Sequence, residues 1–319
     1  MSILYLKMSG SRWVFGGHKL TVFNLKTLFF KMGSTEESNP MQNVKKIDLT
    51  EVGTHYEFGK NWETYSSQLD ESRISSARSR LESIIGKENL LNKTLLDIGS
   101  GSGLHSVAAC RLGARHVTAI DIDEVSTATT SASLAKFAPE SDTDCKTLSI
   151  LAPESSDLGL FDIVYSWGVL HHTGSLWEAI HKASTHVAPK GLFVIAIYRK
   201  SLTCWLWKYE KKLFTNSGSL TRSFLRGLFK LGFKIACLIK GRRFSQIVAD
   251  YKTKRGMDWH VDVDDWLGGY PYESATADEI TDFVVPIGFS LEQVVVSNTW
   301  FGMFGVGCSE FRFRRIEQQ

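Results

Sequence analysis

The sequence predicts an α/β fold built on a doubly wound parallel sheet, and three observations carry that prediction. Leu95-Leu96-Asp97-Ile98 is an apolar strand that runs into Gly99-Ser100-Gly101-Ser102-Gly103, with three glycines on alternate positions. About one βα unit later a second apolar strand, Val117-Thr118-Ala119-Ile120, ends on Asp121. From position 94 onwards strand-like and helix-like segments alternate, as they do where helices cover both faces of a parallel sheet.

Taken in order, 94–98 reads as the first strand and 103–112 as a helix whose unpaired N–H groups face the glycine turn. Strand 116–120, helix 124–137 and strand 146–151 follow. A strand at 161–166 and a helix at 176–187, ended by Pro189-Lys190-Gly191, lead to a strand at 192–198. Residues 200–272 interrupt the alternation and read as a helical insertion. It resumes with a helix near 277–285 and strands near 289–297 and 308–313. Ahead of the first strand, 55–93 reads as one or two helices over the end of the sheet that carries the glycine turn. The chain therefore divides into a stretch at 1–40, a helical cover at 41–93 and a main domain at 94–319 with its insertion at 200–272. The first stretch has no Asp or Glu through Thr35 but carries Lys7, Arg12, Lys19, Lys26 and Lys31. It reads as disordered, or as an over-extended start with Met32 or Met41 as the initiator; an organelle-targeting segment is the alternative.

The glycine turn lets the backbone bend sharply and lets a ligand approach the main chain. A dinucleotide fingerprint would place its third glycine at position 104. Here that glycine comes one residue early, at Gly103, and position 104 is Leu104. Asp97 is awkward beside a pyrophosphate but suits an ammonium. S-adenosyl-L-methionine carries an ammonium and a ribose and no phosphate.

On these residues the chain resembles the class I S-adenosylmethionine-dependent methyltransferases, whose first motif is an acid followed by G-x-G-x-G. The resemblance covers Thr94 to Tyr198. It implies a Rossmann-like, seven-stranded sheet whose last strand is antiparallel, made by a hairpin of the final two. It also implies a loop of Asp97, Gly99, Ser100, Gly101 and Gly103 around the methionine end of the cofactor, with Asp121, followed by Ile122, on the ribose hydroxyls. Where relatives hold the adenine amino group with an acid, this chain reads Ser149-Ile150-Leu151-Ala152-Pro153-Glu154. The contact falls to main-chain groups of Ile150 and Leu151, or to Asp157.

The block Phe161-Asp162-Ile163-Val164-Tyr165-Ser166-Trp167-Gly168-Val169-Leu170-His171-His172 is similar to the broad group containing the ubiquinone and menaquinone methylases. Trp167 reads as a wall of the cofactor or acceptor pocket, or as a core aromatic. A histidine near the transferred methyl could take a proton from an acceptor hydroxyl, which makes His171 a catalytic candidate with Tyr198, and His172 an acceptor-side one. The alternative for each histidine is a packed or capping role. His181 and His186 lack a carboxylate partner at zinc-like spacing, so no metal site is expected. Asp265-Trp266-Leu267-Gly268-Gly269-Tyr270-Pro271-Tyr272-Glu273 resembles a D-W-L-G-G-Y-P-[FY]-E segment of a bacterial subgroup, in which an F-G-x-N-W stretch precedes the first strand, here Phe58-Gly59-Lys60-Asn61-Trp62. Trp266 and Tyr270 are acceptor-side candidates in that lid-like segment.

Composition bounds the rest. The chain has 319 residues, 43% of them hydrophobic, and a formal net charge of +3, so whole-chain charge makes no case for nucleic acid. Cys110, Cys145, Cys204, Cys237 and Cys308 form no C-x-x-C pair and read as buried or idle thiols of a reducing compartment. No apolar run reaches membrane-span length, so the expectation is a cytoplasmic protein, at most peripheral to a membrane. From Lys200 to Arg243 there are eleven Lys and Arg and a single acid, Glu210, interleaved with aromatics. That insertion reads as a membrane-surface element, an anionic-substrate lid, or a cover helix packed on the sheet.

A D/N-P-P-Y type motif, which grips a planar amine, does not follow the fourth strand. Cys204 follows Thr203 where an RNA cytosine methylase would show proline. The expected activity is methyl transfer to a small-molecule or lipid-like acceptor. RNA methylation is the runner-up, and a nicotinamide-dependent oxidoreductase, disfavoured by Asp97 and Leu104, is third.

Overall fold

The computed structural model describes residues 66, 69–255, 259–296 and 307–317. The basic N-terminal stretch and Phe58-Gly59-Lys60-Asn61-Trp62 lie outside them. Seven strands form one sheet in the order β3-β2-β1-β4-β5-β7-β6: β1 Thr94–Ile98, β2 His116–Asp121, β3 Thr143–Thr147, β4 Phe161–Trp167, β5 Val187–Tyr198, β6 Phe289–Val295 and β7 Cys308–Arg315. The first five run parallel, and β7 lies antiparallel between β5 and β6. The strand order reverses beside β1, so the carboxyl ends of β1 and β4 flank the crevice where such sheets bind ligands.

Both faces of the sheet are covered, which is why its central strands are continuous apolar runs rather than alternating ones. One face buries Leu96, Ile98, Ile120, Val164, Phe193 and Ile195 against the helices Leu176–Thr185 and Ala277–Val284. The other buries Leu95, Val117, Ile163 and Val194 against α1 (Glu71–Ile85), α3 (Leu104–Arg111) and α4 (Glu124–Phe137), with the short α2 (Lys87–Leu90) at its margin. The part of the pre-strand segment that is described thus packs flat on the sheet beside α3. Asp70 starts α1 by accepting the Arg73 N–H at 2.9 Å, and Asp123 starts α4 by accepting the Ser126 N–H at 2.9 Å.

Two expected boundaries move. The third strand is Thr143–Thr147, so Ser149–Leu151 lie beyond it. Pro189-Lys190-Gly191 does not precede a strand but interrupts one. Phe161 pairs with Val187 and Ile163 with Leu192, so the residues between bulge out of β5, and Lys190 takes φ +62°. A proline tolerates such a place because the bulge asks for no ladder N–H.

Helix α5 (Leu176–Thr185) ends two residues before β5. The insertion then holds α6 (Cys204–Asn216), α7 (Ser219–Ile239), α8 (Phe244–Arg255) and α9 (Trp259–Gly268). These build a small core of their own around Phe214, Trp259, Val263 and Leu267, with Phe229 and Phe233 packed on it. The chain returns through α10 (Ala277–Val284), which opens on a capping box between Thr276 and Glu279.

Candidate functional site

Asp97 is the fourth residue of β1, and it is buried, at 3% exposure. Ser106 of α3 donates to it at 2.6 Å. Burial pushes this carboxyl up to about 6, against the Ser106 hydrogen bond and with repulsion from Asp121 adding to the rise. Asp121 closes β2. One carboxylate oxygen accepts the Gly101 N–H at 3.0 Å and the other the Asp123 N–H at 3.0 Å. Burial raises Asp121 also, partly offset by these main-chain donors and by the N–H of Ile122.

The turn between the two acids is held on every side. Gly99 and Ser100 donate to the Ile120 carbonyl at 2.8 and 3.2 Å, which ties the turn to the end of β2. Thr130 of α4 donates to the Ser100 hydroxyl and the Gly101 carbonyl at 3.0 and 3.1 Å. The three glycines adopt φ +77°, +54° and +75°. At Gly99 the space for a side chain is taken by Val169, whose Cγ2 would lie 2.3 Å from a Cβ. At Gly103, the N-cap of α3, a Cβ would meet the Thr130 Cα at 2.9 Å. Gly103 therefore serves helix–helix approach, and Gly99 serves the loop after β4.

The residues offered for an adenine are less available. Ile150 is buried in the core. Its carbonyl accepts from Ser155 at 3.0 Å, and the Leu151 N–H donates to Ser149 Oγ at 3.2 Å. Asp157 instead lines a cavity of about 330 Å³ with Lys146, Thr147, Leu148 and Glu154. Leu148 joins that cavity to the site, because its N–H donates to the Asp121 carbonyl at 2.8 Å.

Trp167 ends β4 and is 39% exposed. Its indole N–H donates to Glu310 of β7 at 3.3 Å, and Arg80 of α1 pairs with the same oxygen. His171 is fully buried, with its ring 3.9 Å from that of Tyr198. Its Nδ1 accepts the Tyr198 N–H at 3.4 Å. Burial holds this imidazole well below its ordinary range, so it is neutral and carries its proton on Nε2. Towards anything facing Nε2, His171 is a donor rather than a base. His172 points Nδ1 at the Pro271 carbonyl, 2.8 Å away, and is pushed down to about 4 by burial.

The 271–275 segment is a strap across this edge. The Glu273 N–H donates to the His171 carbonyl at 3.0 Å, the Ala275 N–H to the Tyr198 carbonyl at 3.0 Å, and the Lys200 N–H to the Ala275 carbonyl at 3.0 Å. The Glu273 carboxylate accepts the Leu176 N–H at 2.9 Å, at the start of α5, and burial raises it to about 7. Tyr270 is half-buried just before the strap. Trp266 packs on Trp207 at 4.6 Å between ring centroids.

One residue escaped the sequence reading. Lys211 is fully buried; it donates to the Trp266 carbonyl and lies 4.0 Å above the Trp266 ring and 5.4 Å from that of Tyr272. Burial drives it well down from its ordinary range, with Glu210 pulling the other way. The signal was its spacing, since Cys204, Trp207, Lys211 and Phe214 recur on the inward face of α6.

A family model described as a methyltransferase domain matches residues 67–276. The chain belongs to the methyltransferase-domain family. It is of the class I, S-adenosylmethionine-dependent kind that its motifs resemble. Over 68 residues it is 46% identical to a ribosomal protein L11 methyltransferase of Legionella pneumophila (strain Lens), a match covering 21% of this chain and 22% of that protein. Over 108 residues it is 33% identical to a ubiquinone biosynthesis O-methyltransferase of Caulobacter sp. (strain K31), covering 34% and 42%. The chain thus spans less than half the length of these curated relatives. Among solved structures it is similar to the magnesium protoporphyrin IX methyltransferase of Synechocystis PCC 6803 with bound SAH, at 14% identity and a TM-score of 0.47, covering 78% of this chain and 86% of that one.

Proposed function

We propose that this chain transfers the methyl group of S-adenosylmethionine to a small-molecule or lipid-like acceptor at the carboxyl edge of the sheet. The observation that carries the reading is the pair of buried acids on either side of the glycine turn. Two carboxylates raised by burial, Asp97 further by Asp121 and Asp121 further by Asp123, are under-compensated, which suits a ligand bringing a cation to Asp97 and hydroxyl donors to Asp121. A pyrophosphate would meet repulsion at both. The cavity at the end of β3 has room for a flat ring beside Asp157.

When bound, this cofactor supplies a sulfonium methyl that is already activated. The chain's own residues then hold an acceptor in line and keep water away. Trp167, fixed by Glu310, walls one side, while His171, Tyr198, Tyr272 and the strap close the other. His171 orients an acceptor by donating from Nε2. The aromatic setting of this edge supports a small or lipid-like acceptor over RNA, and so does kinship with a ubiquinone-biosynthesis O-methyltransferase. The basic insertion supports a cytoplasmic enzyme working in peripheral contact with a membrane.

Calorimetry with S-adenosylhomocysteine tests the cofactor half. Asp121→Ala removes the acceptor of two hydroxyl hydrogen bonds, and hydrogen bonds to a charged group are worth about 1.5–3 kcal/mol each. Affinity is expected to fall about a hundredfold or more. An unchanged affinity would remove the ribose role from Asp121, and with it the main support for this cofactor.

A further inference from the structure

Helix α7 has two apolar faces. The inward one packs Leu225, Phe229 and Phe233 on the core of the insertion and buries Cys237. The outward one shows Leu220, Phe224, Leu228, Leu231, Ile235 and Leu238 to solvent, each between 49% and 87% exposed. At about 100° per residue these six fall within an arc of roughly 80°, so they form one stripe along the helix. A helix that merely covers a core is polar on that side. Helix α6 repeats the pattern with Trp205, Tyr209 and Leu213, spaced four apart and 65%, 69% and 52% exposed.

Charge decides what meets these stripes. Lys208, Lys212, Lys234, Lys240, Arg242 and Arg243 are exposed on or beside the two helices. The one acid between Lys200 and Arg243, Glu210, is itself largely withdrawn into the insertion, where burial raises it. A second copy docking through this face would bring two basic surfaces together. An anionic lipid surface satisfies both features, with apolar side chains entering the acyl boundary and bases meeting phosphates. Trp and Tyr are the aromatics suited to that depth. No described helix is long and apolar enough to cross a membrane, so the contact is made in the plane.

We propose that α6 and α7 form a docking surface for anionic phospholipid, with α7 lying in the membrane plane and its outward stripe inserted. The proposal rests on the peripheral-contact part of the reading above and is independent of methyl transfer. It would bring the acceptor edge of the sheet, which the insertion borders, to a lipid-borne acceptor.

The test is flotation of the full chain with vesicles of phosphatidylcholine alone and of phosphatidylcholine mixed with phosphatidylglycerol. Binding is expected to the mixed vesicles and to be at least about tenfold weaker to the neutral ones. A Phe224→Ser/Leu228→Ser/Leu231→Ser variant is expected to lose at least about tenfold in vesicle binding while keeping its circular dichroism and its S-adenosylhomocysteine affinity. A variant that floats like the wild type overturns the inserted stripe, even though contact by charge alone would survive. A wild type that ignores the mixed vesicles overturns both. A wild-type dimer that the variant makes monomeric, without vesicle binding, identifies a second copy as the occupant and overturns the lipid.

Discussion

Asp97→Asn is expected to raise the melting temperature of the ligand-free protein while removing most of its affinity for S-adenosylhomocysteine. The carboxyl is fully interior and titrates near 6 instead of its ordinary 3.8. A folded-state pKa above the unfolded value means that the fold favours the protonated form. The stability this group contributes is complete below about pH 3.8 and is lost as pH rises through about 6. At pH 7 the ionised side chain therefore weighs against the fold by about 3 kcal/mol. Asparagine removes that charge and still accepts from Ser106, so differential scanning at pH 7 should show a gain of roughly 5–10 °C. A cationic ligand reverses the preference by stabilising the carboxylate. Wild-type affinity should be level above about pH 7 and fall as pH drops through about 6, because binding must then expel a proton. The variant should bind weakly at every pH. Wild-type affinity and pH profile retained in Asp97→Asn would show that Asp97 does not face the ligand's cation.

Gly99→Ala is the second large effect, expected to destabilise the fold by about 2–5 kcal/mol. Two costs add. A residue with a Cβ at φ +77° sits in the left-handed region, worth about 1–2 kcal/mol. The new methyl also overlaps the Val169 side chain, and overpacking of this kind costs about 1–3 kcal/mol. The second cost is removable. In a double-mutant cycle Val169→Ala should recover about half of the loss, leaving the dihedral cost behind. Denaturant melts of the four proteins read this directly. Strict additivity of the two substitutions would mean that the turn shifts away from Val169 and that contact does not explain the glycine.

That overlap marks where the sequence was legible and where it was not. The acids Asp97 and Asp121 declare themselves because each breaks an apolar strand at its carboxyl end, and the seven-stranded sheet with its antiparallel last strand followed from the family pattern. The reason for Gly99 was not visible, because Val169 is seventy residues away and meets the turn only through the pairing of β1 with β4. Pro189-Lys190-Gly191 reads locally as a turn, whereas the ladder on both sides absorbs it as a bulge. Lys211 stands in sequence between two other charged residues, Glu210 and Lys212, so nothing local marks it as buried. Only the period of α6 set it inward. The histidines needed geometry of another kind: the Nδ1 partner of His171 is a main-chain N–H, which no side-chain pattern announces.

The strap at 271–275 has a consequence for how such a molecule diversifies. Arg199 and Ala275 are bridged, so the chain leaves the sheet and rejoins it at the same point. The four helices between them are a closed loop in the topological sense, and closing a longer or shorter loop at fixed ends changes the entropy only slowly, by about 0.6 kcal/mol per doubling of length. The excursion can therefore be lengthened, trimmed or exchanged while the sheet, its two acids and the glycine turn keep their register. The sheet with its two acids and the excursion beyond it are mechanically separable here, held together by a clasp of a few main-chain hydrogen bonds.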